Sequence, residues 1–490
     1  MYIGIDLGTS AIKCILIGED GRTVATASEP LQVSRPKPGF SEQDPESWWQ
    51  ATLTGFDKLA KQAPREMAAV SGIGLSGQQH GATLLDKAGN ALRPCILWND
   101  VRSAKECHEL VARLPDLPRI TGNPTLPGFT APKLVWVRDH EPDTWSRVAH
   151  VLLPKDYVRL RLTGEHALDK ADGAGTILFD LARRDWSTEI LAALRIDPAW
   201  LPPTFEGPTI TGGVMAEAAA ATGLRVGTPV VAGGGDQSAN AVGVGAVEPG
   251  VVALSLGTSG VVFATTDRPL HDPLGQVHAF CHAVPERWHL MTVMLSAAGS
   301  LRWFRDALAP GEDFGALVAS AAEVTAAADG LYFLPYLSGE RSPHPDPLAR
   351  GAFVGLTVRH DRRHLTRAVL EGVAFGLRDG LDQMIATGMA APGQVRASGG
   401  GTASALWRGI LADVLQAEIA TVSTAEGAAF GAALLAGVGA GWYADVASAA
   451  ATQVTATPVA APGSDVAMYA EAHSAYRELY PALAPTFPRP

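Results

Sequence analysis

The feature that most restricts how this chain can fold is a four-residue string that occurs twice. Leu7-Gly8-Thr9-Ser10 near the N-terminus recurs just past mid-chain as Leu256-Gly257-Thr258-Ser259. Such common residues recur by chance, but here both copies share a local context. Ile3, Ile5 and Leu7 alternate with other residues and the apolar pattern resumes at Ile12, Cys14 and Leu16, so the first copy reads as the turn of a β-hairpin. The second copy lies between Ala253-Leu254 and Val261-Val262, again strand, turn, strand. A chain of 490 residues exceeds what one core usually supports. The expectation is two diverged copies of one α/β domain, over residues 1–245 and 246–490. The copies differ at one chemical point: Asp6 of the first is Ser255 in the second.

Near the junction of the halves, Pro229 and Val230-Val231-Ala232 read as a buried strand that runs into Gly233-Gly234-Gly235-Asp236-Gln237. Small residues follow and suit a helix start. Taken alone, this is a tight turn with Asp236 as a helix N-cap. The other reading is a strand end that displays one acid to a cleft.

Composition excludes several classes of partner. An apolar fraction of 47% with 18% charged residues belongs to a globular protein. A net charge of −11 with no Lys/Arg block argues against nucleic acid or an anionic membrane surface and in favour of small molecules. Cys14, Cys95, Cys107 and Cys281 lie far apart without a CxxC pair, which predicts buried thiols rather than a zinc cluster or disulfides. The start of the chain lacks the pattern of a leader peptide and no apolar run reaches membrane-spanning length, the alanine-rich stretches 215–222 and 425–450 included. A cytoplasmic protein is expected.

Further elements place the polar stretches. Asp44-Pro45-Glu46 starts a helix of about four turns that carries Trp49, Leu53, Phe56 and Leu59. Residues 70–75 form a strand that delivers Ser76-Gly77-Gln78-Gln79-His80-Gly81, and residues 92–97 another that ends in Trp98-Asn99-Asp100. Prolines and glycines make residues 120–135 read as ordered loop, and residues 169–175 read as a second loop. Residues 151–153 lead as a strand into Pro154-Lys155-Asp156, where Lys155 has no assigned task. Leu365, Val369, Val373 and Leu377 mark a long helix, and Gly399-Gly400-Gly401 joins a strand at 395–397 to a helix with Trp407, Leu411 and Leu415. Trp48, Trp49, Phe333 and Tyr336 are assigned to core or interface.

Both Gly-Thr-Ser turns offer backbone N–H groups and hydroxyls that suit a phosphate, although either is equally a plain β-turn. Two such turns facing one cleft would hold a polyphosphate, and Asp6 beside one of them would suit Mg²⁺. The Gly399-Gly400-Gly401 turn would let an adenosine approach the backbone. No Walker lysine motif and no GxGxxG in a strand–helix setting occurs.

In order and spacing, Asp6-Leu7-Gly8-Thr9-Ser10 with Lys13, Gly233-Gly234-Gly235-Asp236, Leu256-Gly257-Thr258-Ser259 and Gly399-Gly400-Gly401 resemble the FGGY carbohydrate kinases. Phe129-Thr130-Ala131-Pro132-Lys133 and Gly351-Ala352-Phe353-Val354-Gly355-Leu356 followed by His364-Leu365 and Glu371 fit the same family. The resemblance implies two actin-like (ribonuclease H-like) ATPase domains around a central cleft, the first taking the sugar and the second ATP. Ser41-Glu42-Gln43-Asp44-Pro45, Gln78-Gln79-His80-Gly81, Leu153-Pro154-Lys155-Asp156-Tyr157 and Pro335-Tyr336-Leu337-Ser338-Gly339-Glu340-Arg341 are similar to the branch that acts on xylulose. Members acting on glycerol carry Arg-Glu where Gln79-His80 stands.

The implied reaction is ATP-dependent phosphorylation of D-xylulose to D-xylulose 5-phosphate. Asp236 is the implied general base and Asp6 the Mg²⁺ residue. Gln79, His80, Asn99, Asp100, Asp236 and Gln237 would contact the sugar; Thr9, Ser10, Gly257, Thr258, Gly400 and Gly401 would contact ATP. For His80 the residue itself also allows a plain loop histidine. Many xylulose-specific relatives have Met at the place of Gln79, and Ala405 stands where glycerol-specific ones carry an adenine-contacting Asn. Relatives commonly form homodimers. The alternatives are a family kinase for another sugar or polyol such as ribulose, and a non-catalytic sensor of ATP and sugar.

Overall fold

Alternating apolar residues make Tyr2–Leu7 a central strand of the first sheet. It runs antiparallel to Ala11–Ile17, with Asp6 opposite Lys13, and parallel to Gly72–Gly77, with Asp6 opposite Ser76. Thr23–Pro30 lies beyond Ala11–Ile17; Pro229–Val231 and then Ile210–Gly213 extend the other side. The second sheet has the same order. Val251–Leu256 pairs antiparallel with Gly260–Thr266 and parallel with Gln394–Ser398, which is followed by Glu418–Val422 and Ala456–Ala460. Trp288–Met294 takes the place of Thr23–Pro30, and His278–Cys281 adds one strand at that edge. The repeated tetrapeptide is thus the first turn of two topologically equivalent sheets in a mixed α/β structure. This computed structural model describes residues 1–423 and 427–488.

Local signals account for most elements. Asp44 accepts the Glu46 N–H at 3.0 Å and caps the helix Pro45–Gln62, which buries Trp48, Trp49, Phe56 and Leu59. Arg362–Ala386 buries Val369, Val373 and Leu377, and Ala405–Leu415 buries Trp407, Leu411 and Leu415. Phe333 and Tyr336 are core residues, and all four cysteines are free and buried. No described helix is long and apolar enough to cross a membrane.

Three expectations are corrected. The 120–135 stretch contains the end of the helix Leu117–Thr121 and the start of Thr130–His140. Pro132 sits in a first turn, where its missing N–H costs no helical bond. The 169–175 stretch holds the helix Lys170–Ala174, capped by Asp169 through the Asp172 N–H at 2.9 Å. Asp236 is not an N-cap: it is the first residue of the helix Asp236–Gly243, whose cap is Gly235.

The halves meet through the helix Gly427–Gly439, drawn from the alanine-rich 425–450 stretch, of which residues 425 and 426 lie outside the described residues. It packs on the first sheet and on Asp236–Gly243 rather than only on its own half. A methyl added at Gly4, Gly74 or Gly431 would overlap the carbonyl oxygens of Ala429, Ala432 and Ala239 respectively, so backbone lies directly on backbone.

Gly74→Ala should therefore cost about 1–3 kcal/mol by overpacking. Gly409→Ala, inside Ala405–Leu415 with nothing within 4 Å of the added carbon, should be neutral or stabilising by about 0.5–1 kcal/mol. Thermal unfolding of both variants checks this; equal melting temperatures would contradict the packing account.

Candidate active site

Three parallel strands of the first sheet end at one edge in matched register, Leu7 beside Gly77 and Gly77 beside Gly235. Asp6, the Gln78-Gln79-His80 loop and Asp236 are therefore neighbours. Gly233 turns the chain with φ 76°, and a methyl there would overlap the Leu75 carbonyl, so only glycine delivers Asp236 in this way.

Neither acid forms an ion pair among the described residues. Asp6 accepts the Ser76 hydroxyl at 3.3 Å; burial pushes its pKa up to about 6, partly offset by Ser76 and by the Lys13 charge. Asp236 accepts the adjacent Gln237 N–H at 2.7 Å, and burial together with the Asp6 charge pushes its pKa up to about 7. Two carboxylates within electrostatic reach of one another, with only the Lys13 charge offsetting Asp6, suit a bound divalent ion. Among the described residues there is no group of three or more His, Cys, Asp or Glu placed to hold a metal.

His80 has φ 67°, a conformation rare for a residue with a side chain. Its carbonyl is held by Lys133 Nζ at 2.7 Å and Thr130 Oγ1 at 3.1 Å. Its Nδ1 lies 2.6 Å from the Gly175 carbonyl, which only accepts, so Nδ1 carries the proton and Nε2 is an acceptor. Burial, aided by the Lys133 charge, lowers its pKa to about 3 and keeps the ring neutral. Gln79 donates to Asp172 Oδ1 at 3.0 Å, and a methyl on Gly235 would overlap both side chains, so the pair leans on the turn before Asp236.

Other expected residues are placed differently. The buried Asp100 carboxylate accepts the Ser41 N–H at 2.6 Å and takes Arg102 through Nε at 2.9 Å and Nη2 at 2.7 Å. These bonds make Asp100 an anchor for its turn; Asn99 beside it is exposed. The Thr9 hydroxyl donates to Gln78 Oε1 at 3.0 Å and accepts Trp98 Nε1 at 2.9 Å, while the Gly8 N–H donates to the Ala11 carbonyl at 3.0 Å. Ser10 is exposed.

On the second half, Gly257 and Thr258 with Gly400, Gly401 and Ala405 line a cavity of about 670 Å³, of a size for a nucleotide. Thr258 is exposed at its mouth, and a methyl on Gly400 would project into open space. Leu301, Phe314, Val318 and Trp407 give the remaining wall an apolar character.

A buried charge cluster behind the site is absent from the sequence-based expectations. Lys155 Nζ lies 2.8 Å from Asp156, 2.5 Å from Asp169 and 2.9 Å from Asp172. Burial opposes its charge, but the three acids raise its pKa overall. Arg159 joins Asp156 at 2.8 Å and donates to the carbonyls of Val231 and Ala232, the residues that lead into the glycine turn. Three acids face two cations, and burial raises the pKa of Asp172, against the Lys155 charge and with the neighbouring Asp169 and Asp156 charges. No local pattern marks the lysine, because two of its three partners, Asp169 and Asp172, lie on other elements. Lys133 was similarly silent: burial pushes its pKa down to about 7, and its ammonium donates to the carbonyls of His80 and Gly128.

Comparison with known proteins adds identity. Residues 1–243 match the FGGY family of carbohydrate kinases, N-terminal domain, and residues 252–440 match its C-terminal domain. Xylulose kinase of Escherichia coli (strain K12) is 52% identical over 414 residues, 84% of this chain and 84% of that protein. The structure of a xylulose kinase from Brucella ovis superposes with a TM-score of 0.94 at 45% identity over 99% of each chain. A gluconate kinase from Lactobacillus acidophilus superposes with a TM-score of 0.94 at 28% identity, over 99% of this chain and 98% of that one. The two equivalent sheets are those of the actin-like ATPase fold. With family matches in both halves and this fold around paired Gly-Thr-Ser turns, the chain belongs to the FGGY family of carbohydrate kinases.

Proposed function

We propose that this kinase transfers the γ-phosphoryl group of ATP to the terminal hydroxyl of D-xylulose, releasing D-xylulose 5-phosphate and ADP, as a cytoplasmic enzyme of pentose catabolism. The observation that carries the chemistry is Asp236: a carboxylate without a cation, beside the Gln79–His80 loop, with a pKa near 7. An alcohol is a weak nucleophile at neutral pH, and a base of that strength takes its proton as the oxygen attacks phosphorus. The O–H bond of the sugar breaks toward Asp236 while its oxygen bonds the γ-phosphorus and ADP departs.

His80 presents Nε2 as an acceptor for a sugar hydroxyl, and Gln79 and Gln237 flank the same turn. The backbone of the Gly8 turn, Gly257, Thr258, Gly400 and Gly401 would hold the nucleotide. Asp6 would hold Mg²⁺, which when bound offsets the phosphate charge and speeds phosphoryl transfer. The apolar wall around Ala405 fits a nucleobase held by contact more than by side-chain hydrogen bonds.

Asp236→Asn should lower kcat about 10²- to 10⁴-fold while calorimetry still detects D-xylulose binding. Turnover near that of the unmodified enzyme would sink the base assignment. Because the base must be ionised, kcat/KM for the sugar should fall as pH drops through about 7, above the range of an ordinary carboxylate. A profile flat down to pH of about 5 contradicts it. Asp6→Ala should raise the Mg²⁺ concentration needed for half-maximal rate much more than it raises KM for D-xylulose; an unchanged Mg²⁺ dependence argues against the metal role.

A further inference from the structure

Arg341 lies in the second half of the chain, partly buried, and its Nε donates to Nε2 of His278 at 3.0 Å. The histidine is itself fixed. Asn123 gives its Nδ2 to the Ala279 carbonyl at 2.6 Å, so its Oδ1 accepts from His278 Nδ1 at 3.0 Å. His278 Nε2 is then a pure acceptor, and the guanidinium is oriented through Nε. Among the described residues Nη1 and Nη2 have no partner, and no carboxylate pairs with the charge; burial lowers the pKa to about 10, which leaves the group cationic.

The position links Arg341 to His80. The ring of His278 stacks on Phe280 with centroids 6.0 Å apart, and Phe280 lies 6.1 Å from the ring of His80. Phe129 touches both, 4.8 Å from His80 and 6.0 Å from His278. The sugar-side histidine of the first half and the free fork of the second therefore border one aromatic cluster.

We propose that Arg341 is a substrate-binding residue that grips, from the second half, the end of the sugar remote from Asp236 and selects an α-hydroxyketone there. The proposal rests on the ketopentose function given above. With the terminal hydroxyl at Asp236, the far end of a 2-ketopentose carries a hydroxyl and a carbonyl on adjacent carbons. Two neighbouring acceptor oxygens match the planar pair of Nη groups. A pentitol replaces the carbonyl by a hydroxyl on a tetrahedral carbon and fits the fork less well.

The test is steady-state kinetics of the full-length enzyme with D-xylulose, xylitol and D-gluconate, for the unmodified protein, Arg341→Gln and Arg341→Lys. Arg341→Gln should raise KM for D-xylulose about 10- to 100-fold, leave KM for ATP in place and shrink the D-xylulose to xylitol ratio of kcat/KM. Arg341→Lys should recover part of both effects, and it carries the test if the Gln variant does not fold. A purely structural residue would move KM for ATP and melting temperature as well. An unchanged KM and ratio in active variants overturns this proposal and leaves the kinase function standing, as does a preference of the unmodified enzyme for D-gluconate over xylitol that depends on Arg341 while D-xylulose turnover does not. Absence of any turnover of D-xylulose by the unmodified enzyme overturns both.

Discussion

The contact on which the structure depends is the seat of the helix Gly427–Gly439 against bare backbone. Gly4 and Gly74 in adjacent parallel strands, and Gly431 in the helix itself, bring carbonyl oxygens to where a side chain would otherwise stand. Such close approach fixes the helix on the first sheet although its chain position belongs to the second half. The same helix packs on Asp236–Gly243, so a contact between the halves also positions the element that carries the proposed base. Close-packed backbone leaves little room for adjustment, and a small error there would reach the site directly.

Electrostatics at the site follow from that placement. Asp6 and Asp236 are both buried, which raises the cost of ionising each; the Asp6 charge adds to that cost at Asp236, and Lys13 offsets only part of it at Asp6. A carboxylate that resists ionisation is a stronger base than a surface one, which suits proton removal from an alcohol. Behind it, Lys155 and Arg159 hold Asp156, Asp169 and Asp172 in a network that satisfies the carbonyls of Val231 and Ala232. Buried ions of this kind contribute little net stability but constrain geometry. Here they constrain the strand end and, through Asp172 and Gln79, the turn before Asp236.

Much of the fold was legible because its signals are local. The Leu-Gly-Thr-Ser repeat marks the first turn of two equivalent sheets, and Asp44 with Pro45 starts a helix as its chemistry dictates. Pro132 misled because a proline reads as a loop, whereas in a first helical turn it is tolerated. At the site, glycines and acids at strand ends were readable, while partners from distant elements were not. Asp100 stood at a strand end like the others, yet Arg102, two residues on, takes its carboxylate. Lys133 and Lys155 carry no local mark of burial; what distinguishes them is three-dimensional company. Arg341 was visible only as part of a family stretch, and that its Nη groups lack a partner among the described residues became apparent once His278 and Asn123 were in place.

The central claim is that the enclosed acids serve phosphoryl transfer to a ketopentose. The most direct measurement is phosphorus NMR of the purified enzyme with Mg·ATP and D-xylulose, compared with D-ribulose and D-gluconate under the same conditions. The account predicts stoichiometric ADP and a phosphate monoester coupled to the C5 protons of xylulose, formed faster than any product from the other sugars. ATP that persists with D-xylulose, or is consumed without a C5 phosphate, would contradict it.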